Sequence, residues 1–294
     1  MTDVRQRAEQ SRAEQSREQR AESKKMWSRK QLARDFRALG VVPGDVVMLH
    51  ASVRSAGEVA GGPDQIHLAL RDVLGPAGTL MMYVGCPNYY DDVGRGVLTP
   101  EQEKEVLEKQ PAFDALTTRS ARAHGVLVEF FRTFPGTVVN NHIARFAAAG
   151  AHADRLMAEH QWNLPYGTGT PLDRFRALGG KILLLGSDHD EVTFLHHVEH
   201  TVEFAGKKIS RYKVPYDVDG QVVWRDVEEV NTAGDGAHAN WPDRFFARLV
   251  DGYLAGTGNQ GEPVGSARAY LLSAQGLYDF AAPVMQATAR SEVP

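Results

Sequence analysis

Thr193, His196 and Glu199 stand three residues apart in the run Gly186-Ser-Asp-His-Asp-Glu-Val-Thr-Phe-Leu-His-His-Val-Glu-His200. On a helix this spacing brings a hydroxyl, an imidazole and a carboxylate onto one face. The carboxylate can fix the imidazole tautomer and strengthen it as a base, and the imidazole then takes a proton near neutral pH. Four of the 11 histidines fall within residues 189–200. That clustering of titratable groups favours an acid–base site over a buried amphipathic helix carrying solvated histidines. A second pattern overlaps the first. His196-His-Val-Glu-His200 satisfies H-x-x-E-H, in which His196 and His200 would bind zinc and Glu199 would activate water. A five-residue motif arises by chance and no third ligand is evident, so zinc hydrolysis is the rival reading.

The elements that must position these residues can be read outward from them. Residues 182–185 are an apolar strand, followed by a glycine, an acidic loop and the histidine-bearing helix. Ser28-Arg-Lys-Gln31 is a capping box at the start of a helix that Gly40 stops. Residues 46–50 form a buried strand, 51–62 a loop, 63–74 a helix that opens on a proline, and 79–84 a strand. Residues 85–113 read as a long functional loop containing Cys86-Pro-Asn-Tyr-Tyr-Asp-Asp92 and a charged stretch at 101–110. A helix is expected over 123–134, a short strand over 145–150, and helices over 151–160 and 172–178. Residues 208–215 and 222–230 pair as strands about the turn Asp219-Gly220. A helix over 241–254, a strand over 264–269 and a helix over 271–287 complete the chain. The helix–strand alternation predicts an α/β fold: a single domain with a central mixed sheet flanked by helices, plus an antiparallel hairpin.

Composition sets the bounds. The chain has 294 residues, 43% of them hydrophobic and 24% charged, enough for a sizeable core. Its single cysteine, Cys86, excludes an internal disulfide framework and fits a reducing cytoplasm. No run of 18 apolar residues suggests a membrane span. Residues 1–25 hold no aromatic side chain and repeat Arg-Ala-Glu-Gln-Ser from Arg7 and again from Arg12. They are expected to form a disordered or frayed extension before a folded domain over 26–294. The extension carries seven basic and five acidic residues, so a formal charge of −4 overall becomes −6 for the remainder. An acidic body argues against a nucleic-acid partner and suits a cationic ligand.

Several patterns, in order along the chain, resemble the aminoglycoside N-3-acetyltransferase family, whose fold is unrelated to the GNAT acetyltransferases. Leu39-Gly-Val-Val-Pro-Gly-Asp45 leads into Leu49-His-Ala-Ser-Val-Arg-Ser55, similar to the family's opening. Leu74-Gly-Pro-Ala-Gly-Thr-Leu80, Phe146-Ala-Ala-Ala-Gly150 and Tyr166-Gly-Thr-Gly-Thr-Pro171 resemble three internal motifs. Leu184-Leu-Gly186 with Thr193-Phe-Leu-His196 and Glu199 resembles its central signature. Glu262-Pro-Val-Gly-Ser-Ala267 is similar to a late motif of the apramycin- and gentamicin-acting branch. The resemblance implies transfer of acetyl from acetyl-CoA to the 3-amino group of a 2-deoxystreptamine ring, giving antibiotic resistance without a metal. It implies His196 as general base, Glu199 as its partner and Thr193 as a hydroxyl for the oxyanion. It places coenzyme A against His50, Ala51, Ser52, Val53, Arg54 and Ser55. The chain departs from the family at His142-Ile143, where many relatives have proline second, and in a long insert at 92–113.

The chemistry is coherent without the family. An ammonium must lose a proton before it can attack a thioester, and an imidazole with a carboxylate partner can take it. A polycationic acceptor needs carboxylates around it. Asp91 and Asp92 follow two tyrosines, and Asp188, Asp190 and Glu191 adjoin the histidine helix. These five are the candidate substrate contacts. A different amino-sugar acceptor, or a binder without turnover, remains open at this point.

Overall fold

The computed structural model describes residues 26–231 and 241–290. The expected extension over 1–25 lies outside the described residues. The strands are β1 (Val46–Ala51), β2 (Thr79–Tyr83), β3 (Val138–Val139), β4 (Phe146–Gly150), β5 (Lys181–Leu185), β6 (Ile209–Val218), β7 (Gln221–Val230), β8 (Glu262–Val264) and β9 (Ala267–Ser273). The helices are α1 (Arg29–Ala38), α2 (Val53–Ala56), α3 (Asp64–Leu74), α4 (Pro100–Lys109) and α5 (Val126–Thr133). They continue with α6 (Ala153–Met157), α7 (Pro171–Ala177), α8 (Phe194–Thr201), α9 (Phe245–Thr257) and α10 (Ala274–Arg290).

Seven strands form one mixed sheet in the order β3-β4-β2-β1-β5-β9-β8. At its centre β2, β1 and β5 run parallel, and the outer pairings are antiparallel. Three carboxyl ends therefore open on the same edge, where open α/β sheets place ligands. The central strands are predominantly apolar, with His50, Thr79 and Lys181 near their ends, because helices cover both faces. Val46 and Met48 of β1 join Ile182 and Leu184 of β5 in one core layer. Val47, Leu49, Leu183 and Leu185 join the opposite layer, with α1 and α3. The period of two along each strand divides its side chains between the layers. Burial of each such side chain contributes about 1.5–3 kcal/mol.

The hairpin β6–β7 stands apart from the main sheet. Asp219 (φ 53°) and Gly220 (φ 79°) are both left-handed, which a two-residue turn of this kind requires. Tyr212, Val214, Tyr216 and Val227 of the hairpin pack with Tyr90, Phe113, Ala115 and Ile143 in a separate apolar cluster.

The expected fold class is present, and so is the capping box of α1, where Ser28 Oγ accepts from the Gln31 N–H at 3.3 Å. Three expectations need correction. The charged stretch at 101–110 is not loop but α4. Thr99 caps it, Gln102 completes a second capping box, Pro100 occupies the first turn and Glu105 pairs with Lys109. The helix has no buried residue, so it carries no apolar stripe to announce it. The helix expected over 123–134 starts only at Val126, behind Gly125 at φ 83°. Leu271 and Leu272 belong to strand β9, not to the last helix, because β9 completes the register against β5.

Candidate active site

β1 and β5 are adjacent and parallel, so the segments that follow them meet. The Ser52 N–H donates to Leu185 O at 2.9 Å, and Ser187 Oγ donates to His50 O at 3.3 Å. Gly186 makes the crossing possible. It lies at φ +60°, and a Cβ there would come within 2.5 Å of Ser55 Cβ and 2.9 Å of Ala267 Cβ. Beyond it, Asp188 accepts from the Asp190 N–H in a short turn that leads to α8. Phe194, Leu195 and Val198 sink one side of α8 into the core and fix its rotation. That rotation leaves the His196 side chain 27% exposed and buries Glu199 completely.

His196 Nδ1 lies 2.7 Å from Glu199 Oε1. A proton on Nδ1 donates to the carboxylate and leaves the Nε2 lone pair as the basic site. Burial works against a charged imidazole, but the Glu199 charge and hydrogen bond outweigh it and hold the His196 pKa above 6.5. The ring stacks on Tyr166 at a centroid distance of 5.0 Å and meets the edge of Phe246 at 5.1 Å. Thr193 sits at the mouth of α8 as its N-cap residue. Its side chain makes no capping hydrogen bond.

His200 does not complete a zinc site. Its Nδ1 donates to His196 O at 2.6 Å, and its Nε2 accepts the Val230 N–H at 3.1 Å. Both nitrogens are taken by backbone, and burial lowers its pKa to about 4. Among the described residues no three His, Cys, Asp or Glu side chains are grouped to hold a metal ion. Cys86 is no nucleophile in waiting either, since burial pushes its thiol up to about 12.

Two clefts are lined by neighbours of His196: Thr193 lines one, and Tyr166, which stacks on the imidazole, lines the other. One, of about 450 Å³, lies over the carboxyl ends of β1, β2 and β5. His50, Ala51, Ser52, Val53 and Arg54 line it, together with Asp188, Glu191 and Thr193. Ser55 is exposed and does not line it; its hydroxyl donates to Ser52 Oγ at 2.8 Å. Burial lowers the His50 pKa to about 4, so the ring is neutral. Asp188 is paired with Arg244, which offsets its charge beside this cleft.

The other cleft runs between the 86–95 segment and the hairpin and adjoins a space of about 350 Å³. Tyr83 and His124 line both the first cleft and this one. Tyr166, Asp91, Arg95 and Glu229 complete its walls, and Asp92 lines the adjoining space. Burial raises Asp91 to about 6 despite the neighbouring Arg95.

The five carboxylates named from sequence thus fall into different places. Asp91 faces the second cleft and Asp92 the space adjoining it, and Asp188 and Glu191 face the first. Asp190 accepts the Ala247 N–H at 2.9 Å and so caps α9. Tyr83, His124, Tyr166, Arg95 and Glu229 were not singled out. Tyr166 opens a motif that carries the family resemblance, but nothing in its spacing assigns it to the site. Glu229 lies in a strand whose partners emerge only from tertiary packing, and no local signal points to it.

The arrangement resembles known proteins throughout. Residues 48–286 match the family described as aminoglycoside 3-N-acetyltransferase. Aminoglycoside N(3)-acetyltransferase III of Pseudomonas aeruginosa is 40% identical over 251 residues, covering 84% of this chain and 89% of that protein. The crystal structure of aminoglycoside acetyltransferase AAC(3)-Xa superposes with a TM-score of 0.83 at 36% identity, covering 90% of this chain and 94% of the other. The structure of AAC-IIIb with CoASH gives 0.81 at 36% identity, covering 92% and 100%. Agreement of this extent, in sequence and in fold, includes the residues lining both clefts and helix α8, and the chain belongs to the aminoglycoside 3-N-acetyltransferase family.

Proposed function

We propose that His196 and Glu199 are the proton-transfer pair with which this enzyme moves acetyl from acetyl-CoA to the 3-amino group of an aminoglycoside. The observation that carries this reading is the 2.7 Å contact between His196 Nδ1 and a fully buried Glu199, beside Thr193, which lines one cleft, and Tyr166, which stacks on His196 and lines the other. The cleft over β1, β2 and β5 takes the donor. Ser52 and the backbone of 50–55 form its floor, and Arg54 is the cation available to a phosphate. The cleft bounded by Asp91 and Glu229 takes the polycationic acceptor, with Asp92 at its edge.

In this reading His196 Nε2 receives a proton from the acceptor's nitrogen as that nitrogen attacks the thioester carbonyl. The carbonyl oxygen gains negative charge, and the Thr193 hydroxyl donates to it. The carbon–sulfur bond then breaks, and the imidazolium returns its proton to the leaving thiolate. No covalent enzyme intermediate is required. Asp188 and Glu191 line the donor cleft with Thr193, whereas Asp190 acts through the cap it gives α9. A cytoplasmic location belongs to the same reading. Among the described residues no helix is long and apolar enough to cross a membrane.

Thiol release from acetyl-CoA tests the reading, with apramycin, gentamicin, kanamycin and streptomycin as acceptors. Turnover on the deoxystreptamine drugs and none on streptomycin, which offers guanidino groups in place of a 3-amine, is expected. His196→Ala should lower kcat by roughly 10²–10⁴-fold in a protein that melts normally. Near-normal turnover by that variant would end the general-base assignment.

A further inference from the structure

The acceptor cleft has one feature that its task does not explain. A site for a polycation should be anionic, yet Arg95 lies across it. Its Nη2 donates to Asp91 Oδ2 at 3.0 Å and to Glu229 Oε2 at 2.9 Å. Its Nε donates to Asp91 O at 2.9 Å, and its guanidinium stacks over the Tyr212 ring at 3.7 Å. One nitrogen therefore sits between two carboxylates that come from separate parts of the fold, the 86–95 segment and β7. An ammonium at that nitrogen's position would meet both carboxylates at hydrogen-bonding distance.

We infer that Arg95 is a built-in stand-in for an acceptor ammonium, and that its displacement from Asp91 and Glu229 governs which aminoglycosides the enzyme accepts. The inference rests on assigning this cleft to the acceptor.

The local structure suits a side chain that moves on a backbone that does not. Val93 O accepts the Lys213 N–H at 2.8 Å, which ties the segment to β6. Gly94, at φ +88°, presses so closely on β6 that a Cβ there would lie 3.3 Å from Arg211 O and Tyr212 Cα. The Arg95 side chain, by contrast, is 28% exposed and borders the adjoining space of about 350 Å³. It can leave without unfolding the segment. While it is bound, it holds the two carboxylates together and prevents their mutual repulsion in a partly buried site. An acceptor with an ammonium aimed at this position replaces one cation with another. An acceptor with a hydroxyl there leaves Arg95 in place.

The test compares the full-length protein with Arg95→Ala and Arg95→Lys, using gentamicin as acceptor. Removal of the stand-in should lower the KM for gentamicin roughly tenfold, equivalent to about 1.4 kcal/mol. The KM for acetyl-CoA should hold. Methylguanidinium should refill the vacated position in Arg95→Ala and raise the gentamicin KM competitively, with no effect on the wild type at the same concentration. Arg95→Lys keeps the charge without the fork and should fall between the two, and it serves if the alanine variant melts early. A higher gentamicin KM in both variants, reversed by methylguanidinium, would make Arg95 a scaffold or a direct contact and overturn the inference. An unchanged KM would overturn it too. Calorimetric binding of gentamicin to the same three proteins separates the two levels of argument. Absent turnover by the wild type would fail the acetyl-transfer reading, while the order of affinities would still decide the role of Arg95.

Discussion

Glu199→Gln isolates what the buried charge does for His196. Glutamine keeps an oxygen in place of Oε1, so Nδ1–H retains an acceptor and the ring its tautomer. Only the negative charge is lost. In the wild type that charge outweighs burial and holds the His196 pKa above 6.5. Without it, burial dominates and the pKa falls. The base acts in its neutral form, so the acidic limb of kcat/KM should move to lower pH. The plateau should fall at the same time, because the imidazolium forming in the transition state has lost its counter-charge. Charge centres about 4 Å apart at an effective dielectric near 20 interact by about 4 kcal/mol. A transition state about halfway through proton transfer draws on about half of that, or roughly 30-fold in kcat. The assay is thiol release at saturating acetyl-CoA across the pH range, with kcat and KM resolved at each point. An unchanged limb together with an unchanged plateau would refute the pair.

Tyr166→Leu removes the ring stacked on His196 and should lower kcat by up to roughly tenfold, the worth of one aromatic pair; rates equal to wild type would mean that the stack does not hold the base. EDTA should leave turnover unaltered, and a loss restored by added zinc would revive the hydrolase reading. Glu129 accepts from Arg132, Arg119 and the Ser120 N–H, which outweigh its partial burial and hold it at about 2, below the usual 4.5. Its stabilising effect is complete above about pH 4.5 and lost as pH falls towards 2. The melting-temperature gap between wild type and Glu129→Gln should therefore close over that window; a gap constant with pH would contradict the assignment. Removal of residues 1–25 should leave turnover intact, and a fall in kcat would show that the segment contributes to the site.

The proposed proton-transfer pair was legible because helical spacing alone brings position i to i+3. The proposed donor floor was legible only through the family resemblance of residues 49–55, because strand β1, Val46–Ala51, names no ligand by itself. The acceptor side was legible only in part. Asp91 and Asp92 drew attention as charges beside aromatics, but Glu229 and Arg95 are 134 residues apart and meet only when the hairpin folds back. Helix α4 was hidden for a different reason. Capping and a salt bridge form it without any buried face, and hydrophobic periodicity cannot detect such a helix. The role of Asp190 was misleading for the same cause as its appeal. An acidic residue beside a catalytic helix is also what the amino end of a neighbouring helix needs.

The hairpin's separate apolar cluster divides the molecule's labour. In the proposed assignment, donor handling depends on the tightly packed sheet, where Gly186 leaves no room for a methyl group. Acceptor choice in the same proposal depends on β7 and the 86–95 segment, which rest on a small satellite core. His200, on the helix that carries His196, ties that helix to the hairpin by accepting the Val230 N–H. Selection by a new drug can therefore alter one half of the enzyme at little risk to the other. Substitutions that broaden resistance are expected to accumulate around the hairpin, and the parallel strands beneath the thioester should stay as they are.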